Sequence, residues 1–163
     1  MRPSALCLLL ALALSACSAF DGDDGLQDPS LGQLRAAPVT LALGDQDVVL
    51  RTFMWRNFQP VSPPDGKPLI ALFWAHTTDE TALPSGLAVD AVWVINGDDV
   101  WAARPSDEAT PPSEQRPDQA YAVARGGPKW GPQIEVDAVV RVRDADGAAF
   151  LLRAPAQPIV RTD

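Results

Sequence analysis

The chain has 163 residues, 47% apolar and 21% charged, with a formal net charge of −8. Arg2 is the only charged side chain in residues 1–16, so the remaining 147 residues carry 12 basic against 21 acidic side chains, a net of −9. Such a balance is poorly suited to a phosphate backbone and excludes nucleic acid as an expected partner; two cysteines and one histidine exclude a structural zinc site of the usual ligands.

The N-terminus has the layout of an export signal: a positive start at Arg2, an apolar run from Ala5 to Leu14, then small residues. As a helix the run would span about 15 Å, too short for a bilayer core about 30 Å thick. It ends in "LSAC", Leu14, Ser15, Ala16 and Cys17. This tetrad resembles the lipobox of bacterial lipoproteins. The resemblance implies that Cys17 is lipidated and becomes the first mature residue, after removal of residues 1–16. It further implies a cell-envelope location with the membrane as partner through the lipid anchor. Ser18 rather than Asp follows the cysteine, which in that family favours the periplasmic face of the outer membrane. The acyl chains would supply the attachment energy, about 0.8 kcal/mol per buried methylene. Cys7 is lost with the signal, so the mature domain is expected to hold together without a disulfide.

Residues 17–37, "CSAFDGDDGLQDPSLGQLRAA", are rich in Asp, Gly and Ser and show no sustained period. They are expected to form a flexible acidic tether with a reach of roughly 25 Å. Its aspartates, Asp21, Asp23, Asp24 and Asp28, are read as solvating charges.

From Pro38 to Asp163, short Val-, Ile-, Phe- and Trp-rich runs alternate with Pro, Gly and Asp clusters, which is a strand pattern. "PVTLAL" and "DVVLRTFMW" are two strands separated by "GDQ", and "PLIALFWAH" is apolar on both faces, as in a central strand. "LAVDAVWVI" and "VWAAR" flank "NGDD", where Asn-Gly suits a tight hairpin. The proline-rich stretch 104–118 is expected to be a surface loop. "QAYAVA" is a short strand. In "IEVDAVVRVR", Ile134, Val136, Ala138, Val140 and Val142 share one face and Glu135, Asp137, Arg141 and Arg143 mostly the other. "DADG" turns the chain into "AAFLLRA", and "PAQPIVRT" is a last extended piece whose prolines suit an edge.

The expectation is all-β: an antiparallel sandwich of about seven or eight strands, with a small barrel as the alternative. The order and spacing resemble an immunoglobulin-like or fibronectin-III-like domain with Trp93 as a core anchor. The inter-sheet disulfide of antibody domains is absent. As a whole the chain resembles envelope lipoproteins.

Chemistry is sparse. His76, with Asp79 or Glu80 to orient it, would be the general base of a hydrolase, but no GxSxG elbow accompanies it. The bland reading is a strand-end histidine. Asp144 and Asp146 echo the start of a calcium loop, but the later glutamate is missing, and a hairpin turn is expected. No cofactor is implied. Trp74 and Trp93 lie in apolar runs and are read as core. Trp130, in "GGPKWGP", and Trp101 are the candidate ligand contacts; Trp130 is expected to plug the sandwich end. The reading that follows is a lipid-anchored accessory or binding protein, not an enzyme, working through an envelope protein partner. The alternatives are a glycan-binding module using Trp130 and Trp101, or a hydrolase using His76.

Overall fold

A computed structural model describes residues 29–163. The signal, the lipobox residues Leu14, Ser15, Ala16 and Cys17, and the aspartates of the expected tether lie outside the described residues.

One short helix, α1 (Leu31–Arg35), precedes eight strands: β1 (Thr40–Leu43), β2 (Gln46–Asn57), β3 (Leu69–Thr77), β4 (Ala88–Asn96), β5 (Asp99–Ala103), β6 (Gln119–Gly127), β7 (Ile134–Arg143) and β8 (Ala149–Thr162). They form a single mixed sheet in the order β5-β4-β7-β8-β2-β3-β6, with β1 pairing the first part of β2. Every pairing is antiparallel except β2 with β8, where Met54 to Asn57 run alongside Ile159 to Thr162. The all-β expectation therefore holds, and the purely antiparallel one is corrected by this one parallel seam.

The sheet curls about that seam. Inward side chains of β2, β3 and β6, including Val48, Met54, Phe73 and Ala122, pack with Val92, Val140, Leu152 and Ile159 of the β4-β7-β8 half in one core. The β7 alternation is as expected: Val136, Ala138, Val140 and Val142 are buried in this core and Ile134 packs against it. At the far side of the curl the two outer strands meet. The Trp101 ring of β5 lies so close to Gly127 of β6 that a Cβ there would come within 2.7 Å of it. Gly127→Ala is expected to destabilise the domain by about 1–3 kcal/mol through overpacking. In a Trp101→Ala background the same change should cost less than about 0.5 kcal/mol, because the two sites are directly coupled. Urea titration of the four proteins checks this; equal costs in both backgrounds would mean that the ring does not set the need for glycine.

Trp93 and Trp74 are both buried, as expected of core residues, and the structure adds which face each is on. Trp93 is buried, but on the outer face of β4, where it packs with Ala91, Ile95 and Val139 beneath Leu34 and Ala37. That cover comes from α1, so residues 31–37 are folded onto the domain rather than part of a tether. The helix is nucleated by a capping box between Ser30 and Gln33. Trp74 is also buried, but its register partners Arg51 and Tyr121 lie with it on the outer face of β3, opposite to Phe73 and Ala75.

The prolines of the last segment do not mark an edge. β8 lies between β7 and β2, and the residues 155–156 bulge out of register opposite Asp137. The Asp137 carboxylate accepts the Ala156 N–H at 3.0 Å, which satisfies the donor the bulge frees.

Candidate functional site

Three features compete for a functional role: the Trp130 end, the outer face of β2-β3-β6, and the pocket around His76.

The Trp130 end is built around a buried cation. Arg56 shares the inward parity of Val48, Leu50 and Met54 along β2 and is 3% exposed. Its guanidinium donates to the carbonyl of Lys67 at 3.0 Å, to those of Lys129 and Gly131 at 2.8 Å each, and to that of Asp65. The Lys129 and Gly131 carbonyls bracket Trp130, so Arg56 fixes the loop that carries this ring. Trp130 is half-buried against the core, as is Trp101. Trp130 thus packs towards the core as a plug would, with its ring half-buried rather than mostly covered.

The exposed aromatic among the described residues, Phe53, is elsewhere, beside the half-buried Trp55. On the outer face of β2, Phe53 is 46% exposed and its ring centroid lies 5.3 Å from that of Trp55, with 30° between the planes. Register places Leu72 beside Phe53 and Ile70 beside Trp55, and Val160 of β8 flanks Trp55 on the other side. Strict alternation along "VLRTFMWR" assigns Phe53 and Trp55 to one face and Met54 to the other, so this strip was visible as a parity pattern. What the sequence lacked was any sign that Phe53 stays exposed among the described residues. The 104–118 loop, with one 3-10 turn at Pro112–Glu114, covers only the neighbouring part. There Glu114 accepts from the Trp74 indole at 2.7 Å, and the Val123 carbonyl accepts the Ser106 N–H at 2.8 Å.

The third feature is a pocket of about 250 Å³ where β2, β3 and β6 end, lined by Arg51, His76, Glu80, Arg116 and Asp118 among others. Asp118 and Thr77 are buried polar residues in its floor. Arg116 grips Asp118 with two bonds of 3.0 and 2.8 Å. That hydrogen bonding, partly opposed by burial, holds the Asp118 carboxyl below the ordinary carboxylate range. His76 Nδ1 lies 3.0 Å from its neighbour's carbonyl, Thr77 O. The expected dyad partners are placed otherwise. The Asp79 carboxylate accepts from Thr81 at 2.7 and 3.2 Å. Glu80 lines the pocket without a hydrogen bond to His76 among the described residues.

Asp144 closes the β7–β8 turn: its Oδ1 accepts the N–H groups of Asp146 at 3.0 Å and Ala148 at 2.8 Å. Gly147 adopts φ +86°, as the turn reading requires. No cluster of three or more His, Cys, Asp or Glu suited to a metal ion occurs among the described residues. Comparison of the chain with protein-family models, with curated proteins and with solved structures finds no match.

Proposed function

We propose that the chain is a lipid-anchored envelope binding protein that works through contact with a protein partner and carries out no catalysis of its own. The lipobox-like Leu14–Cys17 supports the anchor, and Ser18 supports the periplasmic face of the outer membrane. The observation that carries the binding reading is the outer-face Phe53–Trp55 pair, with Phe53 46% exposed among the described residues and Trp55 half-buried beside it. α1 lies on the outer face of the other half of the sheet, so residue 29 joins the domain on the side away from the strip. Exposed apolar side chains grouped on one face are a mark of protein contact. The strand groups β2-β3-β6 and β5-β4-β7-β8 are those of an immunoglobulin-like or fibronectin-III-like sandwich, which supports that finer fold reading.

A glycan is the second reading, favoured by the pair of gently tilted rings at Phe53 and Trp55. It would use these residues rather than Trp130 and Trp101. Two measurements test the proposal. Mass spectrometry of the native protein should find a lipidated Cys17 as the first residue, and Cys17→Ala should release the protein from the membrane fraction or leave it unprocessed. A photo-crosslinker at position 53 should capture one envelope protein, and Trp55→Ser should abolish the adduct. Crosslinking to glycan alone, or an adduct pattern indifferent to Trp55→Ser, would sink the protein-partner reading.

A further inference from the structure

The His76 pocket carries an inference beyond the aromatic strip. The geometry points to a carboxylate-binding site centred on Arg51, the carboxylate belonging to a small organic acid or to a polypeptide C-terminus. Arg51 lies with its guanidinium carbon 4.3 Å from the Trp74 ring centroid. The Trp74 ring is itself held by the bond from its indole N–H to Glu114 at 2.7 Å. The cation is thus braced on an aromatic face, and its donors are left to a ligand. Among the described residues Arg51 forms no ion pair, whereas Arg116, across the same pocket, is engaged by Asp118.

The rest of the pocket narrows the ligand class. Among the described residues Thr77 and Asp118 are two of the three buried polar ones, the third being Arg56. A floor of satisfied polar groups beneath an unpaired arginine is suited to a polar ligand rather than to a hydrocarbon. Glu80 and Asp118 also line the pocket, and their charges oppose a phosphate dianion far more than a single carboxylate. Glu80 stands at φ +61°, a left-handed conformation unfavourable for a residue with a side chain, at the pocket's mouth. The guanidinium fork matches a carboxylate by two parallel hydrogen bonds. At about 250 Å³ the space lies just below the roughly 300–1,000 Å³ of drug-sized ligand pockets, which fits one terminal residue or a small acid.

Titration of the full-length protein with acetate, N-acetyl-dialanine, the C-terminal amide of that peptide, and inorganic phosphate tests the site, read by the backbone amide resonances of Thr78 and Gln119. Both carboxylates should produce saturable shifts and the amide none. Acetate binding as tightly as the peptide would assign a small acid; tighter peptide binding would assign a chain terminus. Arg51→Gln should weaken either by about tenfold or more, the scale of a lost charge-assisted pair, with an otherwise unchanged spectrum as expected for an exposed position. Arg104→Gln, also exposed but outside the pocket, should leave binding intact. The proposal is overturned by phosphate binding more tightly than both carboxylates, by equal binding of the amide, by unchanged affinity in Arg51→Gln, or by no saturable shift with either carboxylate.

Discussion

Arg56→Ala is expected to destabilise the domain by about 3–5 kcal/mol, the upper range for losing a buried hydrogen-bond network of several carbonyl acceptors. The change removes the donors to the carbonyls of Lys67, Lys129, Gly131 and Asp65. Each acceptor left buried without a partner costs about 1–3 kcal/mol, reduced where water reaches it. The loops they belong to, 58–67 and 128–133, then lose the group that ties them to the end of β2. Phe58 goes with them. Its ring covers Gly66, where a Cβ would meet it at 2.6 Å, and lies under both Arg56 and Arg161. Arg56→Lys should rescue little, because an ammonium is a single point and cannot reach acceptors spread around a planar fork. Trp130, bracketed by two of the four carbonyls, should become more exposed in both variants and its fluorescence more quenchable. Urea unfolding supplies the check: a loss below about 1 kcal/mol for Arg56→Ala would show that solvent satisfies these carbonyls and that Arg56 does not hold the end together.

Arg56 also shows where a reading of the sequence stops. Its inward parity with Val48, Leu50 and Met54 was legible in "VVLRTFMWR", but a charge at a strand end is ordinarily read as turned to water. What reverses this is a cage of backbone carbonyls contributed from residues 9 to 75 positions away, and no local pattern encodes that. The strands themselves were legible, because period-two alternation and Pro/Gly breaks are local properties. The β7 faces came out correctly for that reason. The parallel seam between β2 and β8 was not, since pairing across about a hundred residues depends on the whole curl. Of the site features, Trp130 was flagged by its glycine and proline neighbours. Phe53 and Trp55 were passed over, because an aromatic in an apolar strand reads as core whichever face it is on. His76 was flagged by composition alone, whereas Arg51 and Arg116, the cations that meet it, come from strand and loop segments far apart in sequence.

The face that Trp93 occupies was not legible for a related reason, and this residue carries the second large expected effect. β4 is buried on both sides: Val92 and Val94 face the main core, and Ala91, Trp93 and Ile95 face α1. Nothing in "AVDAVWVI" separates these faces. The residues that decide are Leu34 and Ala37, in a helix of five residues too short to stand alone in water. α1 therefore exists because Trp93, at 2% exposure, gives Leu34 a surface to bury against, and Trp93 is buried because α1 is there. Trp93→Ala should accordingly cost about 3–5 kcal/mol, as expected for a large aromatic truncated in a packed site, and should also undock α1. The helical N–H groups of Leu34 and Ala36, bonded at 3.0 Å to the carbonyls of Ser30 and Gly32, should lose hydrogen-exchange protection ahead of β7. Leu34→Ala should do the same from the other side, and the double variant should fall short of the sum by about 0.5–3 kcal/mol, as contacting residues do. Strict additivity, or protected α1 amides in Trp93→Ala, would show that the capping box and the Arg35 bonds to Gly97 and Asp98 at 2.6 and 3.1 Å hold the helix without the tryptophan.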